Sequence, residues 1–116
     1  MKSSNYLKEC KELCWVCRTQ CQEILVQHCL QMGGAHVEQN HVKLMLDCIE
    51  MCQTAADFLD RDSALHPQIC EACAKVCEAC AESCQKIESE QMKKCAEICR
   101  QCAESCRKMG RAKKAA

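Results

Sequence analysis

CEACAKVCEACAESC, residues 70–84, carries five cysteines in fifteen residues, at successive spacings of 3, 4, 3 and 4. Paired CxxC motifs usually mark metal fingers whose knuckles are loops. No glycine, proline or asparagine interrupts this stretch, so the chain has nowhere to turn. Steps of three and four residues return side chains to one face of an α-helix. The stretch therefore reads as one helix with a stripe of thiols along it.

The pattern recurs outward from there. CAKVCEACAESC (73–84) and CAEICRQCAESC (95–106) match at eight of twelve positions, and CKELCWVCRTQC (10–21) has the same cysteine spacing. With 3 Gly and 1 Pro in 116 residues, breaks are few. Gly33-Gly34, the stretch DSALHP (62–67) and Ser89 divide the chain into helices at about 5–32, 36–61, 67–86 and 89–109, the last stopped by Gly110. Long helices on short connections predict an all-α fold, an antiparallel four-helix bundle with a cysteine-lined core, as one domain over residues 1–116. The basic residues from Arg107 to Lys114 read as a solvated tail.

The inward seam can be followed through each helix. It is Cys10, Cys14, Cys17, Cys21, Ile24 and His28 in the first, with Cys29 beside it. In the second it is His41, Met45, Cys48, Cys52, Ala55 and Leu59. In the third it is His66, Cys70, Cys73, Cys77, Cys80, Cys84 and Ile87, and in the fourth Met92, Cys95, Cys99, Cys102, Cys106 and Met109. All 16 cysteines lie on this seam or next to it.

Sixteen acidic and sixteen basic residues balance, which gives no reason to expect nucleic acid or an anionic membrane as partner. No apolar run approaches the roughly 18 residues of a membrane span. The first residues, MKSSNYLKECKEL, lack the apolar stretch of a secretory signal, which makes the reducing cytosol the expected compartment. Structural disulfides are rare there. Thiols at i,i+4 on one helix also stand about 5–6 Å apart at Cβ, beyond the roughly 3.5–4.5 Å a disulfide needs. A purely apolar core of this kind would be weak, because Cys and Ala bury far less area than Leu, at roughly 25 cal/mol per Å2.

A metal core remains. Sixteen buried thiolates need compensating charge. Four Zn2+ ions would leave eight charges uncompensated. Cu(I) is soft, singly charged and selected by thiolate and thioether. If each ion takes two thiolates and each thiolate bridges two ions, the capacity is on the order of 16 per chain and the core is nearly neutral. Two alternatives stay open: a metallothionein-like zinc buffer and a thiol–disulfide redox protein.

At CxxxCxxCxxxC in the first helix, CIEMC (48–52) in the second, and ICEACAKVCEACAESC (69–84) and CAEICRQCAESCRKM (95–109) in the last two, the chain resembles the bacterial four-helix-bundle copper storage proteins, in particular their cytosolic, signal-free branch. The resemblance spans nearly the whole chain. It implies storage of multiple Cu(I) ions rather than catalysis, thiolate ligands from inward-facing cysteines, help from His, Met or Asp near one end, and a homo-tetramer. A copper chaperone would be the donor. Family members often carry a His-rich third connection, whereas this chain has KIESEQMKKC (86–95); Met92 and His41 stand where relatives can have Cys.

In an antiparallel bundle, His28, Cys29, His41, Met45, Ile87 and Met92 meet at one end, which is the expected mouth, with His28, His41, Met45 and Met92 as ligands beside the cysteines. His36 lies off the seam. Leu7, Cys10, Leu59, His66 and Met109 group at the other end, with Leu7 and Leu59 as an apolar plug. Trp15 lies beside the seam.

Overall fold

Gly33 and Gly34 both adopt positive φ, +69° and +53°, a backbone state that side chains strain to reach, and there the first helix stops. The computed structural model describes residues 2–115, with the side chains of residues 5–111. Helix α1 runs over Lys2–Glu23 and continues without a break through a π-helical turn, Ile24–Cys29, and a last turn, Leu30–Met32. A 3-10 turn, Gly34–Val37, leads to α2, Gln39–Asp60; α3 spans His66–Gln85 and α4 spans Glu90–Ala115. Each helix packs on two neighbours, α1 on α2 and α4, and α3 on α2 and α4, in a rod of 46 × 20 × 20 Å.

Local chemistry explains the helix starts. The Glu38 carboxylate accepts the Asn40 and His41 N–H groups, each at 3.1 Å, and so begins α2 three residues later than the sequence suggests. Pro67 sits in the first turn of α3, where its missing N–H costs nothing. Ser89 Oγ accepts the Met92 N–H at 3.3 Å and opens α4 as expected.

Two expectations need correction. Gly110 does not end α4, which runs on to Ala115. A Cβ at Gly110 would lie 3.4 Å from the Pro67 carbonyl oxygen and 3.3 Å from Glu71 Cγ, so this glycine serves close approach of two helices rather than termination. The stretch from Arg107 is therefore helix, with Arg107 paired to Glu78 and Lys108 4.0 Å from Glu104. The side chains of Lys113 and Lys114 lie outside the described residues.

The second correction is in α1. The π-helical turn inserts one extra residue into the helical repeat. It carries the inward face from the expected His28 to Cys29, which is fully buried, while His28 is half-buried.

All sixteen cysteines are fully buried. Small residues, Ala55, Ala56, Ala74, Ala81, Ala96 and Ala103, fill the positions beside them. The large fully buried side chains, Met45, Met92 and Leu59, stand toward the ends of the seams. Leu7, Val42, Ile49, Met51, Ile69, Val76 and Ile98 pack around the thiol column as a partly buried apolar sleeve. That sleeve, together with backbone hydrogen bonding, must hold the apo bundle together, because the column itself offers little apolar area.

Candidate metal centre

The sixteen thiols are free and form one continuous column. Five groups have all their sulfurs within 4.8 Å of one another: Cys10, Cys70 and Cys106; Cys14, Cys73, Cys102 and Cys106; Cys52, Cys73, Cys77 and Cys102; Cys17, Cys48, Cys52 and Cys77; and Cys17, Cys21, Cys48 and Cys99. Successive groups share members: Cys106, then Cys73 with Cys102, then Cys52 with Cys77, then Cys17 with Cys48. Cross-helix contacts run down to 3.6 Å, for Cys14–Cys106, Cys21–Cys99 and Cys52–Cys77. Along one helix, Cys17–Cys21 and Cys73–Cys77 stand at 3.9 and 3.8 Å. Nearly every sulfur thus has neighbours on two or more helices, and a bridging ligand needs such neighbours.

Toward the mouth the ligand type changes. Met45 Sδ lies 3.6 Å from Cys80 Sγ and 3.5 Å from Cys84 Sγ. Cys95 Sγ lies 3.7 Å from Cys21 Sγ and ties α4 to the column. Beyond them Cys29 Sγ stands 3.8 Å from His41 Nε2 and 3.7 Å from Met92 Sδ. Each of these two separations could be spanned by one ion about 2.2 Å from both donors. The π-helical turn brings Cys29 into this set; with regular α-helix His28 would have faced it. His28 is held outside, its Nε2 3.3 Å from Ser89 Oγ and its ring edge-on to His36 at 5.0 Å. So His41, Met45 and Met92 meet the thiols, and His28 lies at the rim.

His36 is more central than its place in the sequence suggests. It is 8% exposed, and its Nε2 is buried with no hydrogen-bond partner among the described residues. The helical seam could not reveal it, because it lies on the 3-10 turn. Ser83 is a second omission: its Oγ is 2.8 Å from His41 Nδ1.

At the far end Cys10, Cys70 and Cys106 make the last thiol group, and Leu59 and Met109 are buried. His66 is half-buried, its Nε2 4.0 Å from the Asp62 carboxylate. Trp15 is 40% exposed, with Arg18 stacked over it at 5.5 Å.

Burial acts on the mouth ligands in opposite senses. It raises the Cys29 thiol to about 11, helped by the negative charges of Cys84 and Cys95. Burial lowers the His41 imidazole and keeps it neutral, the state that can ligate. For Cys29 the folded value lies above the free-thiol 9.0, so the unfolded chain loses its proton first as pH rises. Its stabilising contribution is full below pH 9 and lost toward pH 11. Reduced apo-protein is expected to unfold at lower urea at pH 11 than at pH 8, and Cys29→Ala to lessen that drop; an identical drop in both proteins would remove Cys29 as a source.

A bundle with a continuous buried column of soft-metal ligands, graded from thiol groups to mixed sulfur and nitrogen, defines a metal-sequestering helical protein. Comparison with known proteins makes the class specific. Residues 3–111 match the family described as Csp, copper storage protein, and the chain belongs to that family. The Nmul_A1745 protein of Nitrosospira multiformis is 42% identical, with a TM-score of 0.90 over 93% of this chain and 97% of that one. The Cu(I)-bound copper storage protein BsCsp3 is 32% identical, with a TM-score of 0.84 over 90% of this chain and 98% of that one. Apo copper storage protein 3 of Bacillus subtilis is 30% identical, with a TM-score of 0.80 over 89% and 97% of the two chains. No curated protein matches the chain.

Proposed function

We propose that this chain stores Cu(I), many ions at a time, on the thiolates of its core, and acts by binding rather than by catalysis. The observation that carries this reading is the sharing of sulfurs between neighbouring groups. Four closed tetrahedral zinc sites would need four separate sets of four thiols. The groups overlap so far that no more than two sets of four can be chosen without sharing a cysteine. Overlap suits a soft monovalent ion whose thiolate ligands bridge. It disfavours the zinc buffer.

In this reading all sixteen cysteines are ligands, and His41, Met45 and Met92 form the mouth with Cys29, His28 lying at its rim. Thiols must lose their protons to bind, so loading releases protons and weakens as pH falls. A copper chaperone would deliver the ions at the mouth. The cytosol is the compartment this chemistry suits, since it keeps unloaded thiols reduced. No helix among the described residues is long and apolar enough to cross a membrane. Assembly as a homo-tetramer is supported by the outward apolar side chains of α1, Val16, Val26 and Leu30, each about half exposed; a monomer mass in sedimentation equilibrium would remove that part.

Titrating the anaerobic, reduced apo-protein with Cu(I) tests the central reading. Uptake on the order of sixteen ions per chain is expected, and fewer than about six tightly held would sink it. Retention of about four Zn2+ per chain in preference to Cu(I) would instead favour the buffer. Thiol–disulfide exchange without metal uptake would favour a redox protein.

A further inference from the structure

Ser83 occupies an unusual place on α3. It stands between Cys80 and Cys84, both fully buried and both against Met45, yet it is itself only half-buried. Its other side borders an open groove of about 550 Å3 between α2 and α3, lined also by Glu38, Lys43, Glu82 and Lys86. Its hydroxyl oxygen is 2.8 Å from His41 Nδ1, a well-formed hydrogen bond. On the opposite side of the same ring, His41 Nε2 faces Cys29 Sγ at 3.8 Å.

A neutral imidazole has one N–H and one lone pair, and the partner at one nitrogen decides what the other offers. If Nε2 carried the proton, an N–H would point at Cys29 and a cation arriving there would find no lone pair from the ring. If Nδ1 carries it, Ser83 Oγ accepts that hydrogen and Nε2 presents its lone pair toward Cys29 and Met92. Serine suits this task because its own hydroxyl hydrogen can turn toward the solvated groove and leave a lone pair for the ring.

We infer that Ser83 is a positioning residue for the mouth: it holds His41 in the Nδ1–H tautomer, with Nε2 aimed at the site where Cys29 and Met92 would receive Cu(I). The inference rests on the proposed mouth but adds a residue that does not touch the metal. It also makes the face of α3 beside the groove part of the loading machinery.

Ser83→Ala removes the acceptor at a half-buried position and leaves no core cavity; Ser83→Thr keeps the hydroxyl. The ring nitrogen shifts of His41 in apo-protein report the tautomer without copper present. The wild type and Ser83→Thr are expected to show Nδ1–H, and Ser83→Ala a mixture. Competition with a Cu(I) chelator is expected to show the most weakly held copper about tenfold weaker in Ser83→Ala, with total capacity unchanged. An Nε2–H ring in the wild type, or wild-type ring signals in Ser83→Ala, overturns the inference whatever the copper affinity does. The variant His41→Ala separates the two levels. If it weakens copper retention and Ser83→Ala does not, only Ser83 is overturned; if neither does, the mouth falls as well.

Discussion

Cu(I)-loaded protein is expected to melt tens of degrees above the apo-protein. The column of sixteen thiols supplies little apolar burial, so the apo bundle rests on its partly buried sleeve and a few large side chains. Loading joins all four helices, because each thiol group draws on three of them and successive groups share members. Binding to the folded state alone adds about 2.7 kcal/mol for each independent ion at a hundredfold excess over its Kd. Four such ions would contribute about 11 kcal/mol, comparable with the whole stability of an ordinary domain. For a chain of this size each kcal/mol moves Tm by about 3–6 °C. Circular dichroism melts of reduced apo and loaded protein, kept anaerobic, measure the difference. Melts within about 5 °C of each other would mean that copper does not cross-link the core.

The second large effect is expected at Leu59. It is fully buried on α2 at the end away from the mouth, where its neighbours along the seam are Ala55, Ala56 and Cys52. Truncating a buried leucine costs about 2–5 kcal/mol through lost transfer energy and the cavity left behind. Its neighbours along the seam are small, so few can relax into the gap, and the upper half of that range is expected. Leu59→Ala should lower the apo Tm by on the order of 10–20 °C. Loaded protein should lose less, since the metal bonds replace the missing contact as the fastening of α2. An apo Tm within about 2 °C of the wild type would show that Leu59 is not a structural stop.

The helices and their thiol faces are legible in the sequence because a 3-4-3-4 spacing has only one regular backbone that brings every member to one side. The seams of α2, α3 and α4 are buried as expected, except at His66, which is half-buried at the start of α3. The seam of α1 fails after Ile24, since a π-helical turn has no sequence pattern of its own and one inserted residue turns the face. His28 and Cys29 are adjacent, so either could have been the inward residue; only the backbone decides. Gly110 misleads for a different reason. Glycine serves both helix termination and close packing, and the second depends on Pro67 and Glu71, which lie on another helix far away in the sequence. Ser83 escapes notice and His36 is placed only off the seam, because their importance comes from a single side-chain partner or from burial on a turn, and neither leaves a periodic trace.

The overlap of thiol groups along the rod bears on how capacity can change. Cysteines at alternating three- and four-residue steps recur about every 5 Å of helix rise. Each added pair of steps, about one heptad, would extend the column by two layers without remaking the groups already present. Loss of a cysteine, by contrast, reaches beyond one position, since Cys17, Cys48, Cys52, Cys73, Cys77, Cys102 and Cys106 each belong to two groups. The ion-holding capacity of such a rod is therefore a property of length, as in a polymer, rather than a count of separate compartments. Relatives with longer or shorter helices should differ in copper content by whole turns of helix.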